Sequence, residues 1–354
     1  MQTPNSNSLT RRDFVRATAA GLIALSAGRT HRSLHAAAPD DAPPIRGLVM
    51  VPETLTWENW PSRAKQAGLS TIALHHPESP EALLKFVKSD PGQAYLAQCV
   101  TAKINVEFDF HAMRDLVPRE LFAKDPSLFR MDDEGRRTPV RNFCVHSPTA
   151  LQTAAANAVK YAEALPATTQ CYYYWSDACA AWCRCPRCRE LSDSDQLLVV
   201  VNALARALRQ VHPKAQVAHL ACHTSMSAPQ KIKPETGVFL QYAPVRRRYD
   251  IPYSEQTDQK QLDSLWYLEQ NLKVFPAKTA QALEYWLDVT RFPPGTGPLP
   301  WNRERFLADL KTYSSLGIRQ FKSFANGLDA DYVKRHGEPT FLAEYGRALD
   351  NLGH

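Results

Sequence analysis

The sequence predicts a (β/α)8 TIM-type barrel with an insertion over the C-terminal mouth, and three observations carry that prediction. Eight short apolar runs alternate with helical stretches along most of the chain, the pattern of repeated strand-helix units in a parallel sheet. One run, Asn105 to His111, sets Glu107, Asp109 and His111 on one face and Phe108 and Phe110 on the other. A barrel strand does this when its outer face packs on helices and its inner face carries polar groups toward the active end. No Gly-rich phosphate loop follows any strand, and the chain has only 14 glycines. That leaves a doubly wound nucleotide-binding sheet as the runner-up.

The chain opens with Thr10-Arg11-Arg12-Asp13-Phe14-Val15-Arg16, a twin-arginine pattern, then weakly apolar Ala17 to Gly28 and the small-residue site Ala36-Ala37-Ala38. Residues 1–38 are expected to be a twin-arginine signal peptide read by the Tat export machinery, with a periplasmic or extracellular destination. The twelve mildly apolar residues of that run are too few to span a bilayer, so no integral membrane protein is expected. Five arginines and one aspartate leave with the segment, and the formal net charge drops from +6 to +2. With Arg246-Arg247-Arg248 as its short basic cluster, the near-neutral remainder offers no stripe for nucleic acid.

After a Pro-rich linker, 39–44, the barrel is expected over 45–354. Strand one is Gly47 to Val51, a helix follows over Trp57 to Ala67, and strand two closes on His75-His76. Glu81 to Ala102 reads as helix, with a break at Pro91-Gly92, before strand three at Asn105 to His111. Arg114 to Pro148, rich in Pro, Asp, Arg and Gly, is the insertion. Helix Ala150 to Ala164 leads to the fourth strand, Gln170 to Trp175, whose alternation puts Tyr173, Trp175 and Asp177 on one side. Helix Ser194 to Gln210, strands Gln216 to Cys222 and Val238 to Tyr242, and helix Gln256 to Leu272 come next. Strand seven is Ala280 to Leu287, helix Arg303 to Ser315 follows, strand eight is Ile318 to Phe324, and Glu338 to Leu352 is the last helix.

The strand ends then collect His75, His76, Glu107, Asp109, His111, Asp177, His223, Gln241, Tyr242, Glu284 and Asp288. Two carboxylates across a barrel mouth are what glycoside cleavage needs, one to protonate the leaving oxygen and one to attack or activate water. Asp177 on strand four and Glu284 on strand seven are the candidate pair, against the plainer readings of a helix cap and a buried ion pair. Tyr173, Trp175, Tyr285 and Trp286 could stack on sugar rings or be core. His76, Glu107, His111, Trp175, Gln241, Arg247, Tyr285, Trp286 and Asp288 are the candidate substrate contacts, with Arg247 placed to hold a uronate carboxylate. Glu107, His111 and His223 are an alternative mononuclear metal set.

The sharpest local signal is Cys179, Cys183, Cys185 and Cys188, the last three spaced C-x-C-x-x-C. One structural zinc, disulfides or free thiols fit that run, and three ligands from so short a loop tend to recruit a fourth from elsewhere, such as Cys144 or His146. No organic cofactor is expected.

Three stretches carry a resemblance. Glu120 to His146, ELFAKDPSLFRMDDEGRRTPVRNFCVH, then Tyr174 to Leu191 with Asp177 and its cysteine spacing, and Leu283 to Asp288, resemble the DUF4838 family of exported bacterial proteins over most of 45–350. The resemblance implies a glycoside-hydrolase-like barrel related to hexosaminidase and α-glucuronidase barrels. Typical hexosaminidases place adjacent Asp and Glu after strand four, whereas Asp177 is followed by Ala178. The expected function is an exported glycoside hydrolase acting on a polysaccharide or glycan, the alternatives being a non-catalytic carbohydrate-binding barrel or a metal-dependent hydrolase.

Overall fold

The computed structural model describes residues 44–77, 79–177, 180–293 and 297–353. The expected signal peptide, all of the linker except Pro44, and Cys179 lie outside the described residues. Eight parallel strands close in sequence order: β1 Arg46–Met50, β2 Thr71–His76, β3 Asn105–His111, β4 Cys171–Trp175, β5 Gln216–Ala221, β6 Val238–Tyr242, β7 Gln281–Glu284 and β8 Gln320–Phe324. β8 returns to β1 with Arg46 opposite Phe321, so no strand edge is left unpaired.

The helices fill the connections: α1 Trp60–Gln66, α2 Pro80–Lys88, α3 Asp90–Ala102, α4 Met113–Leu116, α5 Pro148–Ala164, α6 Asp193–Val211, α7 Leu265–Leu272, α8 Arg303–Ser315, α9 Ala330–His336 and α10 Phe341–Asp350. Local chemistry sets their ends. α6 starts on a capping box in which Ser192 and Asp195 satisfy each other's backbone N–H groups. The predicted helix over Glu81 to Ala102 is two, split at Ser89, whose hydroxyl accepts from Gly92 N–H to start α3. Gly92 is required there, because a Cβ would stand 1.9 Å from the Phe86 carbonyl oxygen. The helix predicted from Gln256 begins only at Leu265. Gln256 is spent on a loop, accepting from Arg248 N–H and donating to the Arg248 carbonyl, and Asp263 takes a positive φ of 53°. β7 ends at Glu284 because the chain turns there, Asp288 N–H donating to the Tyr285 carbonyl. α9 was not predicted.

Alternation sorts the strand residues into two sets. Val49, Ala73, Tyr173, Trp175, Ala218, Leu220, Phe239, Ala243, Leu283 and Phe324 pack together inside the barrel. Their neighbours in sequence, including Leu48, Leu74, Tyr174 and Tyr242, pack outward against the helices, as do Phe108 and Phe110 between the inward polar residues of β3. The insertion leaves the C-terminal end of β3, carries two antiparallel bridges, Phe129 to Phe143 and Met131 to Arg137, and returns at α5. Among the described residues no helix is long and apolar enough to cross a membrane.

Candidate functional site

Below the mouth the barrel interior is polar and closed. Lys322 on β8 reaches Asp109 at 2.7 Å and Glu107 at 2.9 Å, with its ammonium 3.5 Å from the centre of the Tyr173 ring. Burial works against the charge on Lys322, but Asp109 and Glu107 outweigh it and its pKa rises. Burial likewise raises Asp109, to about 6, against the pull of Lys322. Glu107 also accepts from the Thr169 hydroxyl at 2.8 Å. Gln241 donates to Asp109 and Gln281 and accepts from the Trp175 indole N–H at 2.7 Å. Glu107 and Gln241, predicted as substrate contacts, are therefore buried supports, and Gln241 fixes the tryptophan above it.

Above this layer His75, His111, Trp175, Ser176, Cys222, His223, Tyr285 and Phe324 line a cavity at the C-terminal mouth. Tyr285 and Phe324 stack at 4.9 Å and 12°. His75 Nδ1 lies 2.7 Å from the Asp109 carbonyl, and His111 Nδ1 lies 2.6 Å from the Ser176 carbonyl. A carbonyl only accepts, so Nδ1 carries the proton in both rings and each neutral imidazole keeps its Nε2 lone pair. Burial lowers both pKa values, that of His75 to about 3.

This neutrality predicts acid lability. His75 and His219, the latter buried against α6 with Nε2 3.1 Å from the Ser194 hydroxyl, both have pKa values of about 3 when folded, burial being the largest cause. Unfolded histidines titrate near ~6.5, so between there and 3 the unfolded chain binds more protons and stability falls as pH falls. Each is expected to cost about 1.4 kcal/mol per pH unit, partly offset below about pH 6 by Asp109, which binds a proton more readily folded than unfolded. Urea midpoints measured from neutral to mildly acidic pH check this. An unchanged slope in His219→Gln would refute the assignment.

Asp177 sits just past β4, half-buried beside Ser176. Burial raises its pKa, opposed by His111 and then by Arg119, Arg114 and Arg141. Its backbone N–H donates to Asn142 Oδ1 at 3.3 Å, and Asn142 Nδ2 donates to the carbonyls of Ala180 and Ala181. Asp115 stands close enough for the charge of Asp177 to help raise its pKa, burial again being the main cause. Neither Asn142 nor Asp115 was singled out from sequence. Asn142 carries a faint signal, a small polar residue between apolar Phe143 and the insertion's basic run.

Four of the described cysteines form a compact cluster, while Cys179, expected as the first of the set, lies outside the described residues. Cys144, Cys183, Cys185 and Cys188 are all buried, with ligand atoms within 4.8 Å of one another, and could hold a metal ion. None of them forms a disulfide. The insertion's Cys144 closes the set, the alternative fourth ligand that the spacing suggested; His146 stands beside it, Nδ1 3.2 Å from Cys188 Sγ. Among the described residues this is the only such group, so Glu107, His111 and His223 do not form the mononuclear site considered above.

Glu284 is not brought to the mouth. Leu283 and Tyr285 face the cavity, so Glu284 between them points outward into the layer under α8, 0% exposed. There it pairs with Arg247 at 3.2 Å and accepts from the hydroxyls of Tyr313 at 2.5 Å and Tyr249 at 2.7 Å. Arg247 also binds Asp309 at 2.5 Å and is sealed from solvent, which removes it as a uronate contact. Trp286 donates to Asp309 and packs edge-on against Phe306, so it is core. Asp288 accepts from Thr290 and caps a short turn. His76 faces away from His75 and accepts from Ser79 N–H. Of the predicted residues His75, His111, Trp175, His223 and Tyr285 line the cavity, and Asp177 adjoins it through Ser176 and His111.

The family described as "Domain of unknown function (DUF4838)" matches residues 70–345. Among solved structures the chain is similar to PbGH5A, a glycoside hydrolase family 5 enzyme from Prevotella bryantii B14, with a TM-score of 0.51 at 10% identity over 90% of this chain and 99% of that one. It is also similar to a β-galactosidase from Rahnella sp. R3, with a TM-score of 0.52 at 14% identity over 89% of this chain and 57% of that one. A β-galactosidase from the psychrophilic Marinomonas ef1 gives 0.50 at 10% identity over 86% of this chain and 58% of that one. The chain thus spans under two thirds of either β-galactosidase. At these identities the likeness is one of fold, that of glycoside hydrolase barrels. No curated protein sequence matches.

Proposed function

The chain belongs to the DUF4838 family, and on that premise we propose that it cleaves glycosidic bonds of a polysaccharide or glycan at the barrel mouth, with Asp177 as proton donor. The observation that carries this is a half-buried carboxylic acid with a raised pKa beside a cavity lined by Trp175, Tyr285 and Phe324. A general acid must hold its proton near the working pH, and aromatic faces suit sugar rings. Glu284, shut in its ion pair with Arg247, does not supply the second carboxylate at the mouth. The positive field of Arg114, Arg119 and Arg141 around Asp177 favours an acidic glycan. Export by the Tat route to the periplasm or beyond, as a single barrel over 45–354, and a structural metal ion in the cysteine cluster, belong to the same reading.

A non-catalytic carbohydrate-binding barrel is the second reading, favoured by the withdrawal of Glu284 into an ion pair. Reducing-sugar release from a panel of uronic-acid and amino-sugar glycans separates the two. Cleavage of at least one acidic glycan is expected. Binding of panel members with no cleavage of any would make the binding protein the better account.

A further inference from the structure

We infer that the four-cysteine cluster is a closed zinc(II) site, with Cys144 as its fourth ligand, and that it is a clamp fixing Asn142 against the backbone of Asp177. The sulfur spacing is the first observation. Zinc binds thiolate at about 2.3 Å in a tetrahedron, so its four sulfurs stand roughly 3.8 Å apart. Cys144 Sγ lies 3.9 Å from Cys185 Sγ and 3.7 Å from Cys188 Sγ. A disulfide needs about 2.05 Å. Four soft donors with no open position describe a structural site rather than a catalytic one.

The surroundings suit thiolates. Cys183 Sγ receives the Met131 N–H at 3.3 Å and faces the Arg137 guanidinium at 3.7 Å. Such outer donors orient and stabilise metal-bound sulfur. Gln196 on α6 laces the loop further, donating to the carbonyls of Cys183, Cys188 and Leu191 while accepting from Cys183 N–H.

Connectivity gives the site its role. Three ligands come from the β4–α6 loop and one from the insertion, two residues after Asn142. Asn142 is fully buried, and its amide holds the Asp177 N–H and the carbonyls of Ala180 and Ala181. Among the described residues the two segments meet through the sulfur cluster, through this side chain and through Arg184, whose N–H donates to the Met131 carbonyl at 2.9 Å and whose guanidinium lies 3.9 Å from Asp133. The metal therefore sets where the Asp177 backbone stands, and the inference leans on the proposed function only for what Asp177 then does.

The test uses the full purified chain. Elemental analysis should find about one zinc per chain, and mercurial titration of the thiols should release it. Cobalt(II) exchanged into the site should give the strong visible absorption of a tetrahedral thiolate centre. Hydrogen-deuterium exchange before and after zinc removal should speed up in segments 140–148 and 176–191 while the barrel strands keep their protection. Cys144→Ser should lose the zinc. Asn142→Ala should keep the zinc yet speed exchange around residue 177, and on any cleaved substrate it should lower the rate by roughly a hundredfold, the scale of a misplaced catalytic group. Zinc absent from the purified protein, or retained by Cys144→Ser, would overturn the site. Protection unchanged on zinc removal, or lost throughout the barrel, would overturn the clamp. Metal content and exchange are read without substrate, so failure of the clamp and failure of the glycosidase reading stay distinguishable.

Discussion

Asp177→Asn is expected to slow glycosidic cleavage by roughly 10²–10⁴-fold, the usual contribution of a positioned general acid, with binding and folding retained. The substitution is nearly isosteric. It keeps the backbone N–H that Asn142 accepts, so the loop has no reason to move. What it removes is a proton that burial holds more tightly than on an ordinary aspartate, despite His111 and three nearby arginines. The alkaline limb of the pH-rate profile should disappear with it. Glu284→Gln is the matched control. Its carboxylate is shut between Arg247, Tyr249 and Tyr313, so the change should lower stability and leave the rate per folded molecule close to native. Rates and denaturation midpoints measured on both variants check the pair. An equal rate loss in Glu284→Gln at matched folding would restore the carboxylate pairing that the strand order first suggested.

That contrast shows where sequence reasoning succeeds. Eight apolar runs and their helices suffice for the barrel, because hydrophobic periodicity is local and repeated along the chain. The inward set on β3 is legible for the same reason, since Glu107, Asp109 and His111 sit at every second residue. Glu284 is misplaced because the sequence reading assigns the consecutive residues Glu284, Tyr285 and Trp286 all to the mouth, which the alternation of a strand does not allow. With Leu283 and Tyr285 inward, Glu284 between them has to point outward. The partners that trap Glu284 lie on other elements, Arg247 after β6 and Tyr313 on α8, and no local pattern announces a pairing across that distance. Cys144 shows the opposite case. Three thiolates at short spacing create a demand for a fourth, so the chemistry of the ion points to a residue that the chain places far away.

Lys322 was missed, although its alternation with Phe324 puts it inside the barrel, and its replacement is expected to have the largest effect on stability. Lys322→Met keeps the length of the side chain and deletes the charge, leaving Glu107 and Asp109 fully buried with no cation between them. Removing one partner of a buried ion group costs about 3–5 kcal/mol, much of the ~5–15 kcal/mol that holds an ordinary domain together. The loss should also reach the site, because Asp109 accepts from Gln241, which in turn holds the Trp175 indole at the floor of the cavity. Adding Glu107→Gln and Asp109→Asn to Lys322→Met should recover most of the stability, since a buried ion group replaced as a whole is close to neutral. Denaturant unfolding of the single and triple variants measures both effects. A single variant as stable as the native chain would mean that the two carboxylates had taken up protons at little cost, in which case Lys322 is a filler of barrel volume rather than the charge around which its interior is built.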